Sequence, residues 1–338
     1  MLAPNWLGDA VMATPFLFIL RKTFPERKIY LACRSYVAAI YRHCSPVDHL
    51  VVYEREKGFG GALRAVRKEV PRRAKDVCFV LPVSFRSALL SLLAGARRRI
   101  GYGGEFRRML LTEALPSKDF RSGHLTDVYA RLIGLASGRE VGESPLPVVV
   151  PSYEWESEIG SFGLEEGYIV LSPGAEYGGA KVWPAERYSQ VSFRLSRRTG
   201  RRIVIVGSPR ETQIGDHILS NAGLATGRNL AGRCSIDELL CVLRGASLVI
   251  GNDSGPVHIS AAMGRPTLAI FGSTSPAWTA PRGRAVEIVR AEVECSPCFE
   301  RECPEGEARC MHEIEPDLVM EKACRLIGEV CPEDAEQR

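Results

Sequence analysis

Gly251-Asn252-Asp253-Ser254-Gly255-Pro256-Val257-His258 is the stretch on which the reading of this 338-residue chain turns. Ahead of it, Leu248-Val249-Ile250 is a short apolar run with β-branched residues, the profile of a buried strand. Behind it, Val257 to Met263 is small and apolar and stops at Gly264, with Pro266 two residues on. That predicts a short helix ended by glycine. Pro256 suits the first helical turn, where a missing N–H costs nothing. Thr267 to Phe271 then reads as the next strand. Strand, tight polar turn, helix, strand is an α/β unit, and such turns lie where parallel sheets bind ligands. Free N–H groups at the helix start hold anions, and Asp253 is suited to accept hydrogen bonds from sugar hydroxyls. The plainer alternative is that Asn-Asp-Ser-Gly serves only as a turn and a helix cap.

Length and composition set the frame. A chain of 338 residues exceeds what one core usually supports, so two domains are expected. Its 45% hydrophobic and 25% charged content is ordinary for a soluble globular protein. The apolar run Val11 to Leu20 is far short of a bilayer span and contains Pro15. No basic segment followed by an apolar core and a cleavage site marks a signal peptide. A cytoplasmic location is therefore expected, with the 11 cysteines as reduced thiols or metal ligands rather than a disulfide framework.

Charge is unevenly spread. Residues 1–150 carry 24 Lys and Arg against 13 Asp and Glu, net +11, while residues 151–338 carry 20 against 27, net −7. A basic half beside an acidic half suggests that the first meets an anionic partner. Nucleic acid, an anionic lipid or a phosphorylated glycan at a membrane surface would each fit, as would a merely solvated face.

From the start, Pro4-Asn5-Trp6-Leu7-Gly8-Asp9 precedes an apolar helical stretch running to about Lys22. Asp9 falls at or near the helix start, either as a functional carboxylate or as an N-cap. Short apolar runs at Ile29–Ala32, Leu50–Tyr53 and Val77–Leu81 alternate with basic helical stretches such as Gly61 to Val70, which is βαβ patterning. Ser84-Phe85-Arg86 opens a further helix, and Arg97 to Arg99, Arg107 and Arg108 flank a Gly-rich turn. Gly, Ser and Pro cluster between Gly138 and Pro151, marking a boundary between residues 1–150 and 151–338. The second half repeats the pattern. Strands are expected at Tyr168–Leu171 and Ile203–Val206, a helix follows Lys181-Val182-Trp183-Pro184, and Glu211 lies just past a strand's carboxyl end. Neither a G-x-G-x-x-G fingerprint nor a Walker A loop is present, which argues against a standard dinucleotide or P-loop enzyme.

Three motifs in order carry a family resemblance: Pro4 to Asp9; Ser172-Pro173-Gly174-Ala175-Glu176 with Lys181-Val182-Trp183-Pro184; and Gly251 to Gly255 with His258. Together they resemble the family 9 glycosyltransferases, the ADP-heptose:lipopolysaccharide heptosyltransferases, over nearly the whole chain. Gly272-Ser273-Thr274-Ser275-Pro276 and the Cys-rich segment resemble the heptosyltransferase II branch. The resemblance implies a GT-B fold of two Rossmann-like domains facing a cleft. Residues 1–150 would bind the acceptor and residues 151–338 the nucleotide sugar, with a C-terminal helix near Pro316 to Glu329 that often returns toward the first domain. It further implies inverting transfer of heptose from ADP-L-glycero-D-manno-heptose to an anionic, lipid-linked lipopolysaccharide inner-core oligosaccharide. On this resemblance no nucleic acid would take part, and the enzyme would touch the inner face of the cytoplasmic membrane peripherally. Asp9 would be the base that removes the acceptor proton. Lys181 and the helix start with Ser254 and Gly255 would offset charge on the departing ADP. Asp253 would hold heptose hydroxyls and Glu211 the ribose or adenine. His258 stays open between phosphate donor and packed histidine, while Ser84 and Arg86 are the acceptor-binding residues expected. The absence of an Asp-x-Asp pair argues against a metal clamp. A family 9 relative acting on a different acceptor heptose and a non-catalytic metal- or redox-binding module are the competing readings.

Two features depart from this pattern. Relatives begin with a full apolar strand before the Pro4-to-Asp9 loop, whereas only Met1-Leu2-Ala3 precedes it here, so the natural chain is expected to start upstream and to be more stable. Cys295-x2-Cys298-x4-Cys303-x6-Cys310 is compatible with plain reduced thiols, a structural zinc or an iron–sulfur cluster. The transfer chemistry itself needs no cofactor.

Overall fold

The computed structural model describes residues 1–42, 44–104, 106–151 and 154–328. It divides into two compact units, Met1–Val150 and Pro151–Arg338. The break falls in the proline-bearing segment, where Pro145, Pro147 and Pro151 disfavour regular structure.

In the first unit β1 (Tyr30–Arg34) and β2 (His49–Tyr53) pair in parallel. A second parallel group comprises β3 (Val77–Val80), β4 (Arg98–Tyr102) and β5 (Glu113–Leu115). Leu2 joins the two groups, bridging Ala32 on one side and Val80 on the other. Its N–H donates to Phe79 O at 2.8 Å, and Ala3 N–H donates to Ala32 O at 2.9 Å. Counting the Leu2 segment as the first strand, the order is 3-2-1-4-5-6, that of a doubly wound dinucleotide-type sheet. Leu2, Ala32, Val51, Val66, Val80 and Leu90 form its core.

The single helical stretch expected from near Asp9 to about Lys22 is two helices, Leu7–Met12 and Thr14–Thr23. Pro15 is the physical reason, since it has no N–H and its ring crowds the carbonyl four residues back. The Thr14 hydroxyl donates to that carbonyl, Val11 O, at 2.8 Å. Thr14 Oγ1 also accepts from Val148 N at 3.0 Å, tying the end of the unit to its beginning.

The second unit holds one unbroken parallel sheet. Its strands are β6 (Ile169–Ser172), β7 (Ile203–Ile205), β8 (Arg228–Asn229), β9 (Leu248–Asn252), β10 (Thr267–Phe271) and β11 (Val286–Arg290). Read from the β8 edge, the order β8-β7-β6-β9-β10-β11 is again 3-2-1-4-5-6 within the unit. Every residue of β6, β9 and β10 is buried, because helices cover both faces of a parallel sheet. Each fully buried Leu or Ile there contributes about 1.5–3 kcal/mol, against roughly 0–1 kcal/mol for a surface ion pair. Burial therefore dominates over pairs such as Arg194–Asp317 at 2.6 Å.

Helix Gly255–Ala262 begins with Pro256 in its first turn, and Gly264 follows its end at φ +73°. The final helix, Pro316–Ile327, buries Val319, Met320, Ala323 and Cys324 in the core of the second unit, and Lys322 pairs with Glu287 of β11 at 3.0 Å. Glu329, the expected end of that helix, lies outside the described residues. Among the described residues no helix is long and apolar enough to cross a membrane.

Candidate functional site

In a sheet of this order, ligands bind beyond the carboxyl ends of the strands flanking the reversal of strand order. In the second unit those strands are β6 and β9. Asn252, the last residue of β9, is fully buried and spends its amide on three segments. Its Oδ1 accepts from Trp183 N at 3.2 Å and Tyr188 OH at 3.0 Å, and its Nδ2 donates to Pro173 O at 2.6 Å. One side chain thus locks the turn after β6 to the loop carrying Lys181.

Next to it lies a buried polar cluster. Lys181 Nζ donates to Asp253 Oδ2 at 2.5 Å, Thr274 Oγ1 donates to the same oxygen at 2.7 Å, and His258 Nε2 lies 3.3 Å from Oδ1. Lys181 is 8% exposed and Asp253 5%. Burial alone pushes the Asp253 carboxyl up, but the His258 hydrogen bond and the Lys181 charge outweigh it. They hold the group well below the ordinary value of 3.8, so it is ionised at neutral pH. Lys181 Nζ also lies 4.7 Å from the centre of the Tyr177 ring, a cation–π contact.

Ser254 takes the cap position of helix Gly255–Ala262 in extended conformation, yet its side chain makes no capping hydrogen bond; its Oγ is 3.4 Å from Ser172 Oγ. The helix start therefore has no side-chain cap on its first amides. Glu211 ends the short helical turn Pro209–Glu211 past β7, where its Oε2 accepts from Ser208 N. A Cβ on Gly174 would lie 2.0 Å from Glu211 Oε1, and one on Gly207 2.7 Å from Oε2. Glycine at both positions is what lets this carboxylate lie over the turn after β6.

The second unit thus gathers Lys181, Asp253 and His258 in one cluster, with Ser254 and Gly255 at the helix start and Glu211 on the next loop. His258 Nε2 is engaged by Asp253, while its Nδ1 is buried and has no hydrogen-bond partner among the described residues. Asp253 meets Lys181, Thr274 and His258 and so fixes the position of Lys181 Nζ. Asn252 and Thr274 lie in stretches quoted from the sequence but were given no binding role there, and Tyr177 was not singled out. The position of Thr274, three residues past β10, was a signal for it.

In the first unit the corresponding strands are the Leu2 segment and β3. Asp9 follows the former and Ser84-Phe85-Arg86 the latter. Asp9 is half-buried and third in helix Leu7–Met12, with Trp6 in the cap position, so the N-cap reading of Asp9 does not hold. Burial first pushes the Tyr41 and Tyr129 hydroxyls well above 10; after it come Cys33, Cys44 and then Asp9 for Tyr41, and Asp9 for Tyr129, keeping both phenols neutral. Ser84 is the N-cap of helix Phe85–Leu93, its Oγ accepting from Ser87 N at 3.2 Å. Arg86 is exposed, 6.0 Å from the Phe59 ring centre. Arg107, grouped from sequence with the basic flank, is fully buried and donates to Val80 O at 3.3 Å and to Pro82 O. It therefore braces the exit of β3 and adds nothing to the exposed positive surface.

In the Cys-rich segment Cys295 is exposed, Cys298 and Cys303 are half-buried and Cys310 is buried. Burial, and then the proximity of Cys295, Cys298 and Cys303, push the Cys310 thiol up to about 11.

The family model described as glycosyltransferase family 9 (heptosyltransferase) matches residues 63–309. Lipopolysaccharide heptosyltransferase 2 of Escherichia coli is 26% identical, the match covering 97% of this chain and 97% of that protein. Among solved structures, ADP-heptose lps heptosyltransferase II of E. coli superposes with a TM-score of 0.81 at 25% identity, over 96% of this chain and 97% of that one. A family 9 glycosyl transferase from Veillonella parvula gives the same TM-score of 0.81 at 23% identity, over 97% of each chain.

Proposed function

The chain belongs to glycosyltransferase family 9 and has the GT-B fold of two Rossmann-like units, and on that premise we propose that it transfers heptose from ADP-L-glycero-D-manno-heptose to a heptose of the lipopolysaccharide inner core. Two of the relatives named above are a lipopolysaccharide heptosyltransferase 2 and an ADP-heptose lps heptosyltransferase II. The observation that carries the reading is the buried Lys181–Asp253–Thr274 cluster beside the open start of helix Gly255–Ala262.

The donor's diphosphate lies against that helix start and Lys181. Asp253 pairs with the lysine and aims it, so its positive potential is in place before the reaction begins and needs no reorganisation. Glu211 takes hydroxyls of the ribose or the adenine edge. Asp9 accepts the proton of the acceptor hydroxyl as that oxygen bonds to the anomeric carbon. The bond from that carbon to the phosphate oxygen breaks on the opposite side, and ADP leaves with the electron pair. Configuration is inverted because attack and departure occupy opposite faces. The acceptor carries phosphates and carboxylates, which suits exposed Arg86 and the +11 charge of residues 1–150. The same charge draws the first unit to the anionic inner face of the cytoplasmic membrane, where a lipid-linked acceptor resides.

Incubation with ADP-heptose and defined inner-core acceptors tests this, with products identified by mass. The expected result is one added heptose per acceptor and one ADP released per transfer. Failure to modify any heptose-bearing core acceptor, with the protein folded, would reject the reading.

A further inference from the structure

Residues 291–308, between β11 and the short helix Arg309–His312, contain neither helix nor strand. Irregular segments of this length are uncommon in compact domains unless they serve a purpose. This one is pressed between two loops of the candidate donor site. On one side Tyr177 OH donates to Phe299 O at 2.6 Å, Ala180 N to Arg301 O at 2.9 Å, and Gly179 N to Glu302 Oε1 at 3.3 Å. A Cβ on Gly178 would come within 2.2 Å of Arg301 O, so the two backbones touch. The Arg301 guanidinium lies 5.3 Å from the Tyr177 ring that Lys181 also meets. On the other side Phe299 N donates to Ser273 O at 2.7 Å and Ser296 Oγ to Gly272 O at 2.7 Å, next to Thr274. The segment therefore sets both Lys181 and Thr274, the two donors on Asp253 Oδ2.

The same segment carries Cys295, Cys298 and Cys303 and runs directly to Cys310. Cys298 precedes Phe299, Cys303 follows Glu302, and a Cβ on Gly272 would lie 3.1 Å from Cys310 Sγ. Ala308 N–H points at Cys303 Sγ at 3.3 Å, the kind of amide contact that stabilises a thiolate ligand. As the side chains stand, no three His, Cys, Asp or Glu among the described residues share a ligating point. Ligation of one ion by all four would require the exposed and half-buried thiols to turn inward toward Cys310.

We propose that Cys295, Cys298, Cys303 and Cys310 bind one thiophilic metal ion, zinc or iron, which fixes the segment bracing the Lys181 and Thr274 loops. Four sulfur ligands suit either metal. The ion is structural: it closes an irregular loop, and its effect reaches the donor through Tyr177, Phe299 and Arg301. The bracing half of the proposal rests on the donor-site reading above, whereas the metal half does not.

The test uses the full chain, purified without chelator under reducing conditions. Elemental analysis is expected to find about one zinc or iron per chain, and iron would also show thiolate-to-metal absorption in the visible. The Cys295→Ser, Cys298→Ser double variant should lose the ion and bind ADP about tenfold more weakly, about 1.4 kcal/mol, with its circular dichroism unchanged. Should that variant not fold, chelation of the wild-type protein must weaken ADP binding and re-addition of the metal must restore it. Trace metal only, metal retained by the double variant, or a disulfide among these cysteines would overturn the site. Loss of the ion with ADP affinity unchanged would overturn the bracing role. A wild-type protein that holds the ion but binds no ADP would sink the donor reading and leave the metal site standing.

Discussion

In the first unit two small groups of strands are joined by the Leu2 segment, and the groups expected to act, Asp9, Ser84 and Arg86, stand on loops and first turns beyond them. In the second unit six strands run unbroken, and Lys181, Asp253, Thr274 and His258 are paired with one another inside the fold. Strand order is the same in both, so the difference lies in how charge is held. A buried, mutually paired cluster is fixed before any ligand arrives and suits a ligand part that never varies, such as ADP. Exposed cations on a basic surface adapt at little cost and suit an anionic acceptor whose outer parts differ.

The comparison breaks most sharply at Asp9. Asp9→Asn preserves size but removes the base, so kcat should fall by ~10²–10⁴-fold. Trp6, not Asp9, occupies the cap position, so little helix stability is at stake. A folded Asp9→Asn enzyme turning over at near the wild-type rate would end the catalytic assignment.

Stability should respond in the opposite unit. Asp253→Asn leaves Lys181 buried without its counter-charge, and denaturant unfolding should show a loss of about 3–5 kcal/mol. Arg86→Ala, on an exposed site, should stay within about 0.5 kcal/mol of wild type. Because folding lowers the Asp253 pKa below 3.8, its contribution is present above that value and is lost as pH falls through the folded pKa. The gap between wild type and Asp253→Asn should therefore narrow below about pH 4. A gap that stays constant into acid would show that the pair does not carry it.

Salt gives the smallest effect. Acceptor KM should rise a few-fold as ionic strength passes roughly 0.15 M, where the Debye length is about 8 Å, while donor KM moves less. Equal sensitivity of the two constants would remove the distinction between a screened surface and a buried cluster.

What was legible in the sequence follows the same division. The strand-turn-helix around Asp253 could be read because its signals are local: a β-branched run, Pro256 in the first turn, Gly264 after the last. Alternation showed βαβ patterning in both halves and the Gly, Ser and Pro cluster marked the break near Pro151, whereas the two Rossmann-like sheets were implied by the family resemblance. Lys181 and Asp253 are 72 residues apart, however, and no periodicity announces that they pair. Asn252 looked like a turn residue because its role as a junction exists only once Pro173, Trp183 and Tyr188 converge on it. Arg107 misled for a related reason, since a charge count cannot tell an arginine spent on the Val80 and Pro82 carbonyls from one facing solvent. The break at Pro15 was visible but was overridden by the apolar stretch around it.

Calorimetric titration of ADP into wild-type, Asp9→Asn and Lys181→Ala proteins tests the central division of labour most directly. Lys181 meets the donor phosphates in both ground and transition states, so its removal should weaken ADP binding by about tenfold or more, whereas Asp9→Asn should bind ADP as wild type does. ADP affinity that falls equally in both variants, or that is unchanged in Lys181→Ala, would contradict the assignment of donor binding to the second unit and proton removal to the first.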